Sequence, residues 1–301
     1  MSVKPNLFIV GAPKCGTTAL ATYLDRHPDI CISEPKEPIY FGSDLYHSWR
    51  TKSLNEYIRC FHKWNGEKVV GEGTVWYLMS KLAAKEIYEF NKHSKIIIML
   101  RNPVDMMYSL HSQFLVTCNE NIEDFSKALD EEEKRKSGYT KVKNCHFPEG
   151  LQYSYVADYV EHLKRFYAVF PSNQIMIIIF EEFIKDVSKS FCEVLKFLDV
   201  EENVNVSFEK INESRSVVHP KLNNFINKPP RWLKLIANKL TIIRPIIIYF
   251  KGQVIKFSTV QKNRKPLTVQ QRINLSEKIK INQQIYHLEN ITNMKFDAWK
   301  K

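Results

Sequence analysis

The sequence predicts an α/β fold, a central parallel sheet flanked by helices, on three observations. Leu7-Phe8-Ile9-Val10, residues 95–100 and residues 174–180 are short, continuous apolar runs, as expected of strands buried on both faces. The first two run straight into polar loops, Gly11 to Thr18 and Arg101-Asn102-Pro103, and a helix-spaced segment follows each loop. Ligands of open α/β sheets collect beyond the carboxyl ends of the strands, so Lys14 and Arg101 are expected to face one crevice despite their distance in sequence.

Taken in order, the chain supplies the remaining elements. Residues 19–24 read as a first helix that stops at His27-Pro28, and Ile30-Cys31-Ile32 as a second short strand. Two prolines in Ser33-Glu34-Pro35-Lys36-Glu37-Pro38 exclude a helix, which leaves Lys36 and Glu37 as charges on a stiff loop beside apolar Ile39-Tyr40-Phe41. Leu54, Tyr57, Ile58 and Phe61 have helical spacing, Val69-Val70 lead into Gly71-Glu72-Gly73-Thr74, and 76–90 reads as one helix. The helix after Pro103 carries Met106, Ser109 and Leu110, and 119–137, acidic then mixed, is expected to be a solvated helix and loop. Residues 152–170 read as a single helix, 187–198 as another, and Pro266-Leu267-Thr268 as the cap of a last helix over 269–280.

A chain of 301 residues can bury a full core, as one large domain or two small ones. The reading adopted is one domain over 1–301, with 228–265 a helical insertion on the acceptor side or capping the cofactor. A hydrophobic share of 44% beside 26% charged residues excludes disorder as the default. The formal charge of +11 sets up a field that draws anions, whether phosphorylated cofactors, anionic glycans, acidic membranes or nucleic acid. Six cysteines without CxxC or metal-ligand spacing read as free thiols in a reducing compartment, Cys118 with Cys145 being the one pairing left open. A core strand begins at Leu7, leaving no room for a secretory signal, and a cytoplasmic enzyme is expected. Lys239, Arg244, Pro245 and Lys251 interrupt 228–257 too often for a bilayer span, which needs about 20 apolar residues. Helices packed on the core are the preferred reading there, and peripheral contact with the inner membrane face is the other.

The loop from Gly11 to Thr18 aims backbone N–H groups and the positive end of a helix dipole at one point, which suits a phosphate-like group. Its glycine spacing copies the nucleoside-triphosphate loop, but that loop places Lys and Ser/Thr directly after the second glycine, for the terminal phosphates and magnesium. Here Thr17 and Thr18 stand there and the lysine has moved inside, to Lys14. Such a lysine reaches a bridging oxygen or leaving group without the usual metal arrangement. For the loop alone, an ordinary Gly/Pro turn is the bland alternative.

Five segments in order resemble the sulfotransferases that use 3′-phosphoadenosine 5′-phosphosulfate (PAPS), specifically their bacterial and carbohydrate-modifying branch. They are Gly11 to Thr18; Lys36-Glu37-Pro38-Ile39-Tyr40-Phe41; Gly71-Glu72-Gly73-Thr74-Val75-Trp76-Tyr77-Leu78; Leu100-Arg101-Asn102-Pro103-Val104-Asp105 with Tyr108-Ser109; and Leu288-Glu289 to Trp299. The resemblance implies a P-loop-like fold and metal-free sulfuryl transfer that leaves adenosine 3′,5′-bisphosphate. It implies Lys14 on the phosphosulfate, with Cys15, Gly16, Thr17 and Thr18 completing the loop, and Arg101 with Ser109 on the 3′-phosphate. Glu37 falls where many glycan sulfotransferases place their base, and a carboxylate in a half-buried, proline-framed loop suits the removal of an acceptor's proton. His47 and His111 are the next bases to consider.

The chain departs from that pattern at several points. Gly73 and Val75 stand where some members have lysine and proline, so Lys36 is the candidate replacement for the missing lysine. Ile39 stands where others place a histidine, and Met106 where an arginine is usual. The late basic loop that closes on the 3′-phosphate has only Lys262, Arg264 and Lys265 as candidates. Expected partners are PAPS and a carbohydrate, glycolipid or small-molecule acceptor, bound through 40–50, 118–146 and 228–257, and not nucleic acid. Acceptance by an amine ranks behind a hydroxyl. The rivals are a nucleotide kinase or NTPase, which would want Lys at position 17 and a strand-end Asp for magnesium, and a basic non-enzymatic membrane- or nucleic-acid-binding protein, which predicts steep salt dependence.

Overall fold

A computed structural model describes residues 3–142, 145–209, 216–217, 259–260 and 265–300. Five parallel strands, β1 (Leu7–Gly11), β2 (Ile30–Ile32), β3 (Val69–Glu72), β4 (Lys95–Leu100) and β5 (Ile175–Ile179), form one sheet in the order β2-β3-β1-β4-β5. β1, β2 and β3 are buried at every residue and β4 at all but Lys95, as their apolar runs require. Because β1 is central and the chain crosses from β3 past it to β4, the winding reverses at the carboxyl end of β1, where ligands bind in such sheets. Register across β1 pairs Leu7 with Gly71 on one side and with Lys95 on the other. A Cβ at Gly71 would stand 2.8 Å from the Cβ of Leu7, so glycine lets these strands pack.

The described helices are α1 (Thr17–Leu24), α2 (Leu54–Arg59), α3 (Ala83–Phe90), α4 (Pro103–Val116), α5 (Phe125–Asp130), α6 (Glu132–Lys136), α7 (Tyr153–Val156), α8 (Tyr159–Tyr167), α9 (Phe180–Lys185), α10 (Val187–Leu198), α11 (Val269–Lys278) and α12 (Ile281–Thr292). Among the described residues no helix is long and apolar enough to cross a membrane. The chain gathers into two compact units. One comprises Met1–Met107, Ser154–Asn212 and Ile273–Lys301 and holds the sheet; the other comprises Tyr108–Tyr153 and Glu213–Arg272. In the first, α8 packs on both α3 and α12.

The second unit has its own core. The His111 ring lies 5.2 Å from Phe125 and 5.7 Å from Tyr153, and its Nε2 is hydrogen-bonded to the Ile122 carbonyl at 2.8 Å. Beside it Glu120 is ion-paired with Arg135 at 2.9 Å and accepts the Tyr153 hydroxyl at 2.9 Å. The expected solvated stretch 119–137 is therefore corrected: Glu120, Phe125, Ala128, Leu129 and Glu132 are buried. A buried carboxylate with an arginine partner looks the same in sequence as a solvated one.

Three helix expectations also change. The single helix over 76–90 is α3 alone, because 75–79 turn back against β1: Leu78 N donates to the Val10 carbonyl at 2.8 Å, and the Ser80 hydroxyl accepts from Leu82 N and Ala83 N. The helix over 152–170 is broken into α7 and α8 by Asp158, whose side chain accepts from Glu161 N and caps α8. The helix over 269–280 ends at Lys278, and Lys280, at φ 52°, starts α12. Among the described residues, which include all six cysteines, no disulfide occurs. The insertion expected over 228–265 lies outside the described residues except for Thr259–Val260, which pairs antiparallel with Ser216–Val217, and for Lys265.

Candidate active site

The end of β1 is shaped by what α1 lacks. Its cap, Gly16, has φ 87° and no side chain to bond the first turn, and among the described residues no other side chain does so, which leaves the N–H groups of the helix N-terminus bare there. Glycine is required here for a second reason: a Cβ would meet the Phe180 ring at 3.1 Å. Lys14, also left-handed at φ 63°, completes the turn, and Ala12 N donates to the Met99 carbonyl at 2.7 Å, fastening the loop to β4. Cys15 is buried, its thiol donates to the Pro13 carbonyl at 3.3 Å, and burial pushes it up to about 12. It contributes to the loop as backbone and as a small packed side chain. Thr17 is buried and Thr18 half-buried at the start of α1.

Arg101 meets this loop. Its Nη1 donates to the Lys14 carbonyl at 3.3 Å, and its guanidinium lies 4.7 Å from the centre of the Phe180 ring. Burial, and then the Arg101 charge, hold the Lys14 ammonium below its ordinary range, with Cys15 acting the other way. Two cations so placed beside a bare helix N-terminus are a poor arrangement alone and a good one around an anion. Lys14 and Arg101, 87 residues apart in sequence, are thus neighbours at the ends of β1 and β4.

Lys36 and Glu37 come to the same loop from the other side of β1. The Lys36 ammonium donates to the Gly73 carbonyl at 2.7 Å, lies 3.3 Å from the Glu37 carboxylate and 3.5 Å from the Thr17 hydroxyl. A Cβ at Gly73 would stand 3.2 Å from that ammonium, so Lys36 fills the space beside Gly73. With side chains 19% and 32% exposed, the Lys36–Glu37 pair contributes about 0–1 kcal/mol, too little to stiffen the loop. Backbone contacts do that: Gly73 N donates to the Lys36 carbonyl at 2.9 Å, and the Ser33 hydroxyl donates to it at 3.1 Å.

Ser109 lies on α4 in the second unit. His47 accepts from Trp49 N at 3.3 Å, and His111 is packed in the second unit's core. Lys262 and Arg264 lie outside the described residues. Sequence reasoning also missed contributors. Phe180 touches both Gly16 and Arg101, and Glu181 accepts from Asn102 N at 3.0 Å and from the Trp299 indole N–H at 2.9 Å. Both follow the carboxyl end of β5 as Arg101 follows β4, a positional signal that was available.

Residues 4–231 match the family described as a sulfotransferase domain. The chain belongs to the sulfotransferase family. A sulfotransferase from Alicyclobacillus acidocaldarius has a crystal structure that matches with a TM-score of 0.73 and 25% identity, over 99% of this chain and 100% of that one. The expected α/β architecture is the one that neighbour shares. Membrane-associated sulfotransferase kil1 of Dictyostelium discoideum is 33% identical over 107 residues, 35% of this chain and 22% of its own length. Mouse carbohydrate sulfotransferase 15 is 25% identical over 250 residues, 65% of this chain and 44% of its own. The chain thus spans less than half the length of either of these two relatives.

This sulfotransferase-family chain also buries a carboxylate behind the site. Glu72, at the end of β3, is fully buried and pushed up to about 7 by that burial, while hydroxyls of Thr74, Tyr77 and Tyr57 pull it down and Glu37 raises it. Its ordinary value is 4.5, so the folded chain holds this proton more tightly than the unfolded one. The resulting stabilisation is full at low pH and is lost as pH rises through about 7. The melting temperature of the wild type, relative to Glu72→Gln, should therefore fall between about pH 5 and about pH 8. A difference that is flat or rises over that range contradicts it.

Proposed function

We propose that this chain transfers a sulfuryl group from PAPS to an acceptor hydroxyl on a carbohydrate or glycolipid. One observation carries the reading: Lys14, Arg101 and the bare N-terminus of α1 meet at the end of β1, with Lys36 and Glu37 beside Thr17. Those groups fit an anionic donor, since burial and then the Arg101 charge already disfavour the Lys14 charge, and an anion beside it offsets both. Family membership weighs for this reading over a kinase or a non-enzymatic binding protein. The acceptor class is supported by the name of carbohydrate sulfotransferase 15, and the formal charge of +11 suits an anionic glycan.

PAPS supplies an activated sulfuryl group whose leaving group is a phosphate. Lys14 holds positive charge at the departing oxygen, while N–H groups of Gly16, Thr17 and Thr18 face the same anion. Glu37 takes the acceptor's proton as the acceptor oxygen bonds to sulfur and the sulfur–phosphate oxygen bond breaks, its electron pair going to the phosphate. Lys36 puts a second positive charge beside Thr17, in place of the lysine absent at Gly73. Arg101, with Ser109, Lys262 and Arg264 as further candidates, receives the 3′-phosphate. These charges take the part that magnesium plays in phosphoryl transfer.

Radiolabelled PAPS incubated with fractionated glycan, lipid and small-molecule extracts should label a glycan or glycolipid fraction. Glu37→Gln keeps shape and removes basicity, so turnover should fall by about 10²–10⁴ with nucleotide affinity little changed. Label in no fraction removes the transfer reading. A full rate in folded Glu37→Gln moves the base elsewhere, with His47 next.

Calorimetry addresses Arg101 separately. Arg101→Ala should weaken adenosine 3′,5′-bisphosphate by about 10- to 100-fold, the size of a lost hydrogen bond to a charged group, and adenosine 5′-phosphate far less. Equal losses for both nucleotides would place Arg101 away from the 3′-phosphate.

A further inference from the structure

Among the described residues Glu72 makes no side-chain hydrogen bond to a group assigned to transfer, yet the loop that carries Glu37 hangs from it. Its Oε1 accepts the hydroxyls of Tyr57 and Tyr77, each at 3.0 Å, and its Oε2 accepts the Thr74 hydroxyl. Two of those hydroxyls then receive the loop. Tyr77 accepts Tyr40 N at 2.9 Å and Phe41 N at 3.2 Å, and Thr74 accepts Ile39 N at 3.3 Å. Three consecutive backbone N–H groups are thus bound, through two hydroxyls, to one buried carboxylate. The third hydroxyl belongs to Tyr57, whose ring stacks on Tyr40 at 4.7 Å.

The direction of the protons makes the carboxylate necessary. A hydroxyl has one proton, and in Tyr77 and Thr74 it goes to Glu72, leaving lone pairs toward the loop. A side chain at 72 that cannot accept at both oxygens turns one hydroxyl round, and that hydroxyl then competes with the loop N–H groups it now holds. The loop resists being held, since Ile39 is β-branched and sits at φ 55°, a conformation that such residues rarely adopt. Glu72 also gains little stability in return, because three charge-assisted hydrogen bonds work against complete burial of the charge. A costly buried carboxylate that fixes a strained loop two residues from the candidate base is a functional arrangement.

We propose that Glu72 is a positioning residue for sulfuryl transfer: through Thr74 and Tyr77 it fixes the Lys36–Phe41 loop and thereby the direction of the Glu37 carboxylate. The proposal rests on the reading of Glu37 as the base. It is tested with Glu72→Gln and with Tyr77→Phe, which deletes one hydroxyl and keeps the ring should the first variant not fold. Each is made alone and on Glu37→Gln. Single-turnover rates are measured at saturating PAPS and acceptor at about pH 8, where Glu72 is ionised, below the melting temperature. Affinity for adenosine 3′,5′-bisphosphate is measured alongside.

Each single change should slow transfer by about 10- to 100-fold, the effect of a displaced catalytic group, and leave nucleotide affinity within about two-fold. On the Glu37→Gln background neither change should slow transfer further, because the group being positioned is gone. A slow Glu37→Gln enzyme beside undiminished rates in Tyr77→Phe and in any folded Glu72→Gln, or losses that multiply on the Glu37→Gln background, overturns the positioning role alone. A normal rate in Glu37→Gln is the separate result that removes the base and the positioning role together.

Discussion

The uncapped N-terminus of α1 is the constraint on which the rest of the first unit depends. It asks for an anion, and among the described residues no side chain caps it. Lys14 and Arg101 crowd beside it instead, with Lys36 reaching Thr17 from the opposite side. The parallel sheet makes this meeting possible. Its order sets β1 between β3 and β4, so loops far apart in sequence converge at one strand end.

Two buried or half-buried carboxylates hold the converging loops in place, by similar means. Glu72 reaches residues 39–41 through hydroxyls, and Glu181 binds the backbone of Asn102 and the indole of Trp299 directly. Carboxylates suit this work because two oxygens accept several donors at once and impose a direction on each hydrogen bond. In both cases the charged group stands behind the residue assigned to chemistry. The residues assigned to chemistry thus sit on backbone held by side chains to which no chemical step is assigned.

The strands, the Gly11 to Thr18 loop and the convergence of Lys14 with Arg101 were legible, because apolar runs and strand-end loops are local signals. Glu37 and Lys36 were legible as charges on a stiff loop, their contact with Thr17 less so. What was not legible depends on distant partners. Residues 76–79 read as the start of a helix running to 90, but they turn because Val10 offers a carbonyl to Leu78. Glu120 reads as solvated until Arg135 and Tyr153 are found against it. Glu72 reads as one more strand-end acid, and only the positions of Tyr57 and Tyr77, supplied by two other segments, reveal what it holds.

The most direct test of the account is the rate of sulfuryl transfer by Lys14→Ala, measured beside its melting temperature. Burial and then the Arg101 charge both disfavour the Lys14 ammonium, so its loss should leave the fold as stable as before or more so. Transfer should fall by at least about 10²-fold, since charge at the departing oxygen acts on the transition state. A folded Lys14→Ala enzyme that transfers at the wild-type rate would contradict the account at its centre.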